Sequence, residues 1–170
     1  MKSIKVIRDD ITSLDIDIIV NAANQSLLGG GGVDGQIHRK AGPDLLKECR
    51  TLGGCKTGDA KMTDAYNLPC KKIIHTVGPV YRDGLHGESE LLRSCYEASI
   101  KLAESYRLDN KLDEITIAFP NISTGVYGYP KEEAADVVMS TLKDLDYKNI
   151  NVLLCCFDMD NYEIYMSKNK

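Results

Sequence analysis

DIDIIVNAANQSLLGGGGVDGQIH, residues 15–38, passes from an apolar run through a glycine-rich loop into residues with helical spacing. The run DIIVNA is rich in β-branched residues and predicts a strand. A helix is expected to start near Asp34, whose carboxylate can cap it, and to run past Ile37 and Ala41. A strand followed by a helix is the repeating unit of an α/β fold. Between the two, Gly29 to Gly32 are four consecutive glycines. Glycine loses more backbone freedom on folding than any other residue, and a structural turn needs only one or two. Something has to approach this backbone so closely that side chains are excluded.

Outward from this stretch the alternation continues. SIKVIR, DAKMTDA, KKIIHTV, EITIAFP and NVLLCCF read as further strands. The segment ESELLRSCYEASIKLAESYRL places Leu91 or Leu92, Cys95, Ala98 or Ser99, Leu102 and Tyr106 on one helical face, with Glu88 and Glu90 suited to the positive end of the dipole. Another helix is expected to begin at Pro130, with Glu132 and Glu133 in its first turn, and Pro43 can start a short one. NVLLCCF is apolar almost throughout, as in a strand covered on both faces. DAKMTDA and KKIIHTV follow each other too closely for a helical crossover, so they are expected to pair antiparallel in a mixed sheet. With no repeat, low-complexity tract or linker, residues 1–170 are expected to form one domain. In such folds ligands settle beyond the carboxyl ends of the strands, where the unusual loops of this chain lie.

Composition narrows the function classes. Hydrophobic residues at 43% and charged residues at 27% fit a soluble globular protein. A net charge of -4 argues against a general nucleic-acid or anionic-membrane surface. MKSIKVIRDD lacks the apolar core of a signal peptide, and no apolar run approaches membrane-spanning length, so a cytoplasmic protein is expected. The six cysteines form no CxxC pair and no Cys/His spacing of zinc type, and reduced thiols are expected.

Gly30 to Gly35 satisfies GxGxxG, yet NQSLLG separates it from the strand, and the acidic residue due about 20 positions later is missing. A Rossmann unit is therefore not expected. A second glycine-bearing loop, FPNISTGVYGYP (residues 119–130), also follows a strand. Neither loop carries Lys or Arg, so positive potential has to come from backbone N–H groups and helix ends, an arrangement suited to phosphate or pyrophosphate. Asn21 and Asn24 stand in NAAN at a strand end, where a carboxamide can address sugar hydroxyls or make an Asx turn. For Asp34, capping its own helix competes with service as a base. His38, His75 and His86 show no obvious partner, so a Ser/His or Cys/His relay has little support. Tyr127 is a loop aromatic that a ligand would cover.

NAANQSLLGGGGVDGQIH, then AGPDLLKECRTLGGCKTGDAKMTDAYNLPCKKIIHTVGP, then IAFPNISTGVYGYP closely resemble macrodomains of the MacroD type. The resemblance runs from about residue 5 to about residue 165. It implies a three-layer α/β/α sandwich around a mixed, mostly parallel sheet, with ADP-ribose bound at the strand ends. It further implies hydrolysis of ADP-ribose esters: release of single ADP-ribose units from acidic side chains, and deacetylation of O-acetyl-ADP-ribose. By the same resemblance Asn21, Asn24 and Asp34 form the catalytic group at the distal ribose, beside the loop of Gly31, Gly32 and Val33. Ser123, Thr124, Gly125, Val126 and Tyr127 cradle the pyrophosphate, Asp10 receives the adenine amino group with Ile11 beside it, and Phe157 packs on the base. Asp9 stands where the family usually has glycine, adding negative charge near the nucleoside. Lys40 stands where the family is usually small, and is expected to be harmless on the surface.

An ester hydrolase needs the polar trio Asn21, Asn24 and Asp34, whereas a reader that only binds ADP-ribose needs the glycine loops alone. The trio favours the enzyme. No metal or cofactor is expected. Either Asp34 or the substrate pyrophosphate activates the water. Expected partners are ADP-ribose, its esters and mono-ADP-ribosylated proteins, with no membrane and no nucleic acid beyond ADP-ribosylated ends. A monomer is expected.

Overall fold

The run DIIVNA becomes β2 (Ile18–Ala23), and its Ile18, Ile19 and Val20 are inaccessible to solvent on both faces. A strand so covered needs neighbours on both edges and a layer on each side. The computed structural model, which describes residues 3–170, supplies them. The other strands are β1 (Ser3–Arg8), β3 (Ala60–Asp64), β4 (Lys72–Val77), β5 (Ile115–Phe119) and β6 (Ile150–Cys156), joined in the order β1-β6-β5-β2-β4-β3. All pairs are parallel except β3 with β4, the pair that the short connection predicted.

The helices are α1 (Gly32–Ala41), α2 (Pro43–Thr51), α3 (Glu88–Asp109), α4 (Lys131–Asp144) and α5 (Met159–Lys168), with a 3-10 turn at Ile11–Ser13. Strand parity sorts the core into two layers. Ile18 and Val20 of β2 face Leu92 and Tyr96 of α3 and Val138 of α4, while Ile19 and Ala23 face Ile37 of α1 and Leu45 of α2. Tyr96 stacks on Phe119 with ring centroids 4.5 Å apart. The result is the three-layer sandwich. Truncating a fully buried Ile19 or Leu45 to alanine is expected to cost about 2–5 kcal/mol.

Two expectations shift. Helix α4 starts at Lys131, with Pro130 one place earlier as its N-cap. Helix α5 had no strong period to reveal it. It is nucleated by Asp158, whose carboxylate accepts from the Asn161 backbone N–H, and anchored by buried Tyr165.

Candidate active site

Five parallel strands end on one side of the sheet, and there a cleft of about 530 Å³ opens. That volume suits a ligand of nucleotide size. Its walls come from the loop after β1, the loop between β2 and α1, the loop after β5 and the residues after β6. Four carboxylates (Asp9, Asp10, Asp34 and Asp158) and no Lys or Arg line it. An anion held here has to rely on backbone N–H groups and uncharged side-chain donors.

At one end, α1 is capped by Gly31 through backbone alone, and Asp34, third in the helix, makes no capping bond. Of the two competing readings of Asp34, capping its own helix is the one this structure does not show. Asp34 is 4% exposed, and its Oδ1 accepts a 2.8 Å hydrogen bond from Asn21 Nδ2. His38 Nε2, one turn along, lies 3.5 Å from the same oxygen. Burial raises the Asp34 carboxyl above the usual range, while the Asn21 bond and the His38 ring oppose that rise.

The two asparagines do different things. Asn21 is inaccessible and lies outside the lining of the cleft: it sits two residues deeper in β2 than Ala23, which has the same strand parity and does reach the cleft. It touches Asp34, so direct contact with a ribose hydroxyl is not its place in this structure. Asn24 does line the cleft, and its carboxamide also shapes the loop. Its Oδ1 accepts from the Ser26 hydroxyl at 2.7 Å and the Leu27 N–H at 3.2 Å, and its Nδ2 donates to Gly29 O at 3.0 Å. A β-carbon on Gly30 would lie 3.2 Å from Asp34 Oδ2 and 3.3 Å from Asn24 Nδ2. An acceptor and a donor thus flank one small space that a side chain would fill.

In the middle, none of Ser123, Thr124, Gly125, Val126 and Tyr127 spends its backbone N–H on a turn bond among the described residues. Ser123 holds a left-handed conformation (φ 67°), and its hydroxyl is buried without a partner. The loop is braced from below by Gly78, at the end of β4, where a β-carbon would come 2.3 Å from Ser123 Oγ. Gly31 and Gly125 have no atom within 4 Å of where a β-carbon would sit. Gly31 has an ordinary negative φ of -94°. Neither packing nor, for Gly31, backbone geometry demands a glycine at these two places. Both face the open cleft, where a side chain would take up space in front of the loops.

At the far end, Asp10, Ile11 and Phe157 share the wall, and Phe157 stands 79% exposed. Asp10 is crowded with donors. Its Oδ1 accepts from the Thr12 N–H at 3.0 Å and hydroxyl at 2.6 Å, and its Oδ2 accepts from Lys40 Nζ at 2.7 Å and Gln36 Nε2 at 3.1 Å. Burial raises its pKa, but Lys40 and Thr12 outweigh that and hold it below the usual carboxylate range. Lys40 is therefore no idle surface residue. Asp9 also lines the cleft, with Oδ1 accepting from the Asp10 N–H. Gly31, Gly32, Val33, Thr124, Val126 and Tyr127 line the cleft as expected. Sequence reasoning missed Gln36, Gly78, Asn121 and Asn161 on the wall; HTVGP held the Gly78 signal, and Gln36 follows Asp34 on the helix.

Among the described residues one group of possible metal ligands converges, Asp83, His86 and Glu88, outside the cleft. The Glu88 carboxylate is already occupied by the backbone N–H groups of Arg82, Asp83, Gly84 and His86. The six cysteines are free and buried, and among the described residues no helix is long and apolar enough to cross a membrane.

Comparison with known proteins agrees with this architecture. A macro domain-containing protein of Chlorobaculum tepidum is 55% identical over 165 residues, covering 95% of this chain and 92% of that protein. O-acetyl-ADP-ribose deacetylase 1 of Pantoea vagans is 49% identical over 173 residues, covering 98% of each chain. The crystal structure of a Trypanosoma brucei macrodomain in complex with ADP-ribose superposes with a TM-score of 0.85 at 42% identity, covering 98% of this chain and 69% of that one. The Macro domain family model matches residues 20–138, which run from the strand bearing Asn21 through both glycine loops into α4. With that sheet order, that cleft and those relatives, the chain belongs to the macro domain family.

Proposed function

We propose that this protein hydrolyses ADP-ribose esters without a metal, releasing ADP-ribose from acidic side chains and from O-acetyl-ADP-ribose. One observation carries the reading: a buried carboxylate, Asp34, faces a donor, Asn24, across a space kept open by Gly30, beside a loop of unspent N–H groups. The diphosphate lies against residues 123–127, the adenosine reaches Asp10 and Phe157, and the distal ribose meets Asn24 and Asp34. A water held between Asp34 Oδ2 and the linkage adds to the acyl carbon. The bond from the acyl carbon to the ribose oxygen then breaks, and that oxygen takes the proton Asp34 accepted from the water, giving free ADP-ribose, a carboxylic acid and the regenerated carboxylate. Burial makes Asp34 a stronger base than an exposed aspartate, which supports its accepting the proton from that water in preference to the substrate pyrophosphate. Asn24 and the glycine loop hold the reactants in attack geometry. The name of the Pantoea vagans relative supports the deacetylase part of the reading.

The test is incubation with O-acetyl-ADP-ribose and with a Glu-linked mono-ADP-ribosylated protein, in the presence and absence of chelator, followed by product detection. Turnover that survives chelation and falls at least about a hundredfold in Asp34→Ala, with unchanged folding, is expected. Tight binding of ADP-ribose with no turnover of either substrate would make the protein a reader instead.

A further inference from the structure

The layer between the sheet and helices α1 and α2 is apolar except for one string of polar side chains. Asn21 and His75 are register partners on the parallel strands β2 and β4, so both point into this layer. His75 is inaccessible and lies outside the cleft lining. Its Nδ1 is 3.0 Å from Asn21 Nδ2, and its Nε2 is 2.9 Å from Thr63 Oγ1 on β3. The Thr63 hydroxyl donates to the Asp64 carbonyl at 3.0 Å.

The donor directions follow from one end. An ionised Asp34 only accepts, so the Asn21 atom facing it is the amide nitrogen. That nitrogen has two hydrogens, one for Asp34 Oδ1 and the other for His75 Nδ1. His75 Nδ1 is then the bare nitrogen, the proton sits on Nε2, and Thr63 accepts it while passing its own hydrogen to Asp64. Each donor in the string has an acceptor.

We propose that His75 is a positioning residue: as an uncharged hydrogen-bond acceptor it holds the Asn21 amide nitrogen toward Asp34 and so keeps the Asp34 carboxylate aimed and ionised. Burial, with the His38 ring as a second cause, lowers the His75 pKa to about 3, so it stays an acceptor throughout the neutral range. A protonated imidazole would donate from both nitrogens, and Asn21 would have to present its oxygen to His75, leaving no N–H for Asp34. The other titratable groups facing this string are His38 on α1 and Cys49 on α2, whose Sγ lies 4.0 Å from His75 Nε2 and whose thiol burial pushes up to about 11. Neither can replace the Asn21 donor.

The inference rests on Asp34 as the reacting carboxylate for its effect on turnover, but its effect on Asp34 itself can be read without turnover. His75→Leu removes the acceptor, and His75→Gln offers a carbonyl in its place. Carboxyl ¹³C NMR, with Asp34 assigned through Asp34→Asn, follows the titration in each protein. In His75→Leu the Asp34 midpoint is expected to rise by about one pH unit, the scale of a lost hydrogen bond to a charged group. Hydrolysis kcat is expected to fall at least tenfold with KM little changed, and its acid limb to move to higher pH with the midpoint. His75→Gln is expected to restore much of both. If His75→Leu does not fold, Thr63→Val, which deprives Nε2–H of its acceptor, is expected to move the midpoint in the same direction. An Asp34 midpoint unmoved in whichever of these two variants folds overturns the positioning role, whether or not the wild type hydrolyses esters. A wild type without hydrolysis but with the shifted midpoint in the variant sinks the proposed reaction and leaves the relay standing.

Discussion

Removing Lys40 is expected to tighten the grip on adenine. A carboxylate offers about four lone-pair sites, and Asp10 already accepts from the Thr12 N–H, the Thr12 hydroxyl, Gln36 and Lys40. An adenine amino group can only bind by displacing one of them. Thr12 is fixed by the 3-10 turn, whereas the Lys40 side chain is 46% exposed and the easiest to dislodge. A partly exposed ion pair of this kind contributes about 0.2–1 kcal/mol, and the new bond to a charged acceptor about 1.5–3 kcal/mol. Lys40→Ala removes the competitor, so ADP-ribose affinity is expected to rise by up to about fivefold. Discrimination against the inosine analogue should widen as well, because the Lys40 ammonium can donate to a hypoxanthine carbonyl and the Asp10 carboxylate cannot. Asp10→Ala is expected to weaken ADP-ribose about tenfold or more, and Lys40→Ala in that background to gain nothing. Calorimetry on the four proteins with both nucleotides, at about 0.15 M salt to limit long-range attraction, measures each value. If Lys40→Ala binds ADP-ribose more weakly than the wild type, the lysine is a ligand contact and the competition argument is wrong.

Three other perturbations probe the cleft and its surroundings. A β-carbon at position 125 meets nothing within 4 Å, so in Gly125→Ala melting should be close to wild type while ADP-ribose affinity falls about tenfold by calorimetry. Gly78→Ala places a β-carbon 2.3 Å from Ser123 Oγ and 2.5 Å from Ile122 Cγ2, and is expected to cost about 1–3 kcal/mol in urea unfolding together with a loss of binding. Equal stability there would show that the loop 121–128 yields freely. Glu88, held at about 2 by the backbone N–H of Arg82 first and those of His86 and Gly84 next, against an ordinary 4.5, contributes stability that is complete above pH 4.5 and lost as the pH falls toward 2. Glu88→Gln should therefore be the less stable protein at pH 7, with the gap closing across that acid window in a pH series of urea melts.

The order of strands and helices was legible because parallel strands buried on both faces are written as continuous runs of Val and Ile, as in DIIVNA and NVLLCCF. Helix α5 was not, since one deep anchor, Tyr165, makes no period. The cleft was legible wherever glycine stood without a folding reason, as at Gly31 and Gly125. What sequence left open was direction. Whether Asp34 caps its helix or faces the cleft turns on a helix cap three residues earlier, at Gly31, and NAAN does not say how deep in β2 Asn21 lies. The contact of Lys40 with Asp10 joins residues 30 apart on a helix and a turn, and no local pattern encodes it. The bond between Asn21 and His75 spans 54 residues and exists only because β2 and β4 are neighbours in register.

Strand β1 pairs with β6 from Ser3 opposite Asn151 to Arg8 opposite Cys156, so the earliest and latest strands lie side by side. Asp10 follows the one and Phe157 the other, whereas Asn21, Asp34 and His75 are brought together by strands and helices from the first half of the chain. During translation the residues of the proposed reacting end are thus synthesised long before Phe157, the proposed base contact. At about 5–20 residues per second, several seconds of synthesis separate Asp34 from Phe157. A chain arrested or cleaved ahead of β6 holds the sequence of Asn21, Asp34 and His75 but lacks Phe157 and the core strand beside β1, so the cleft wall after β6 is missing from it.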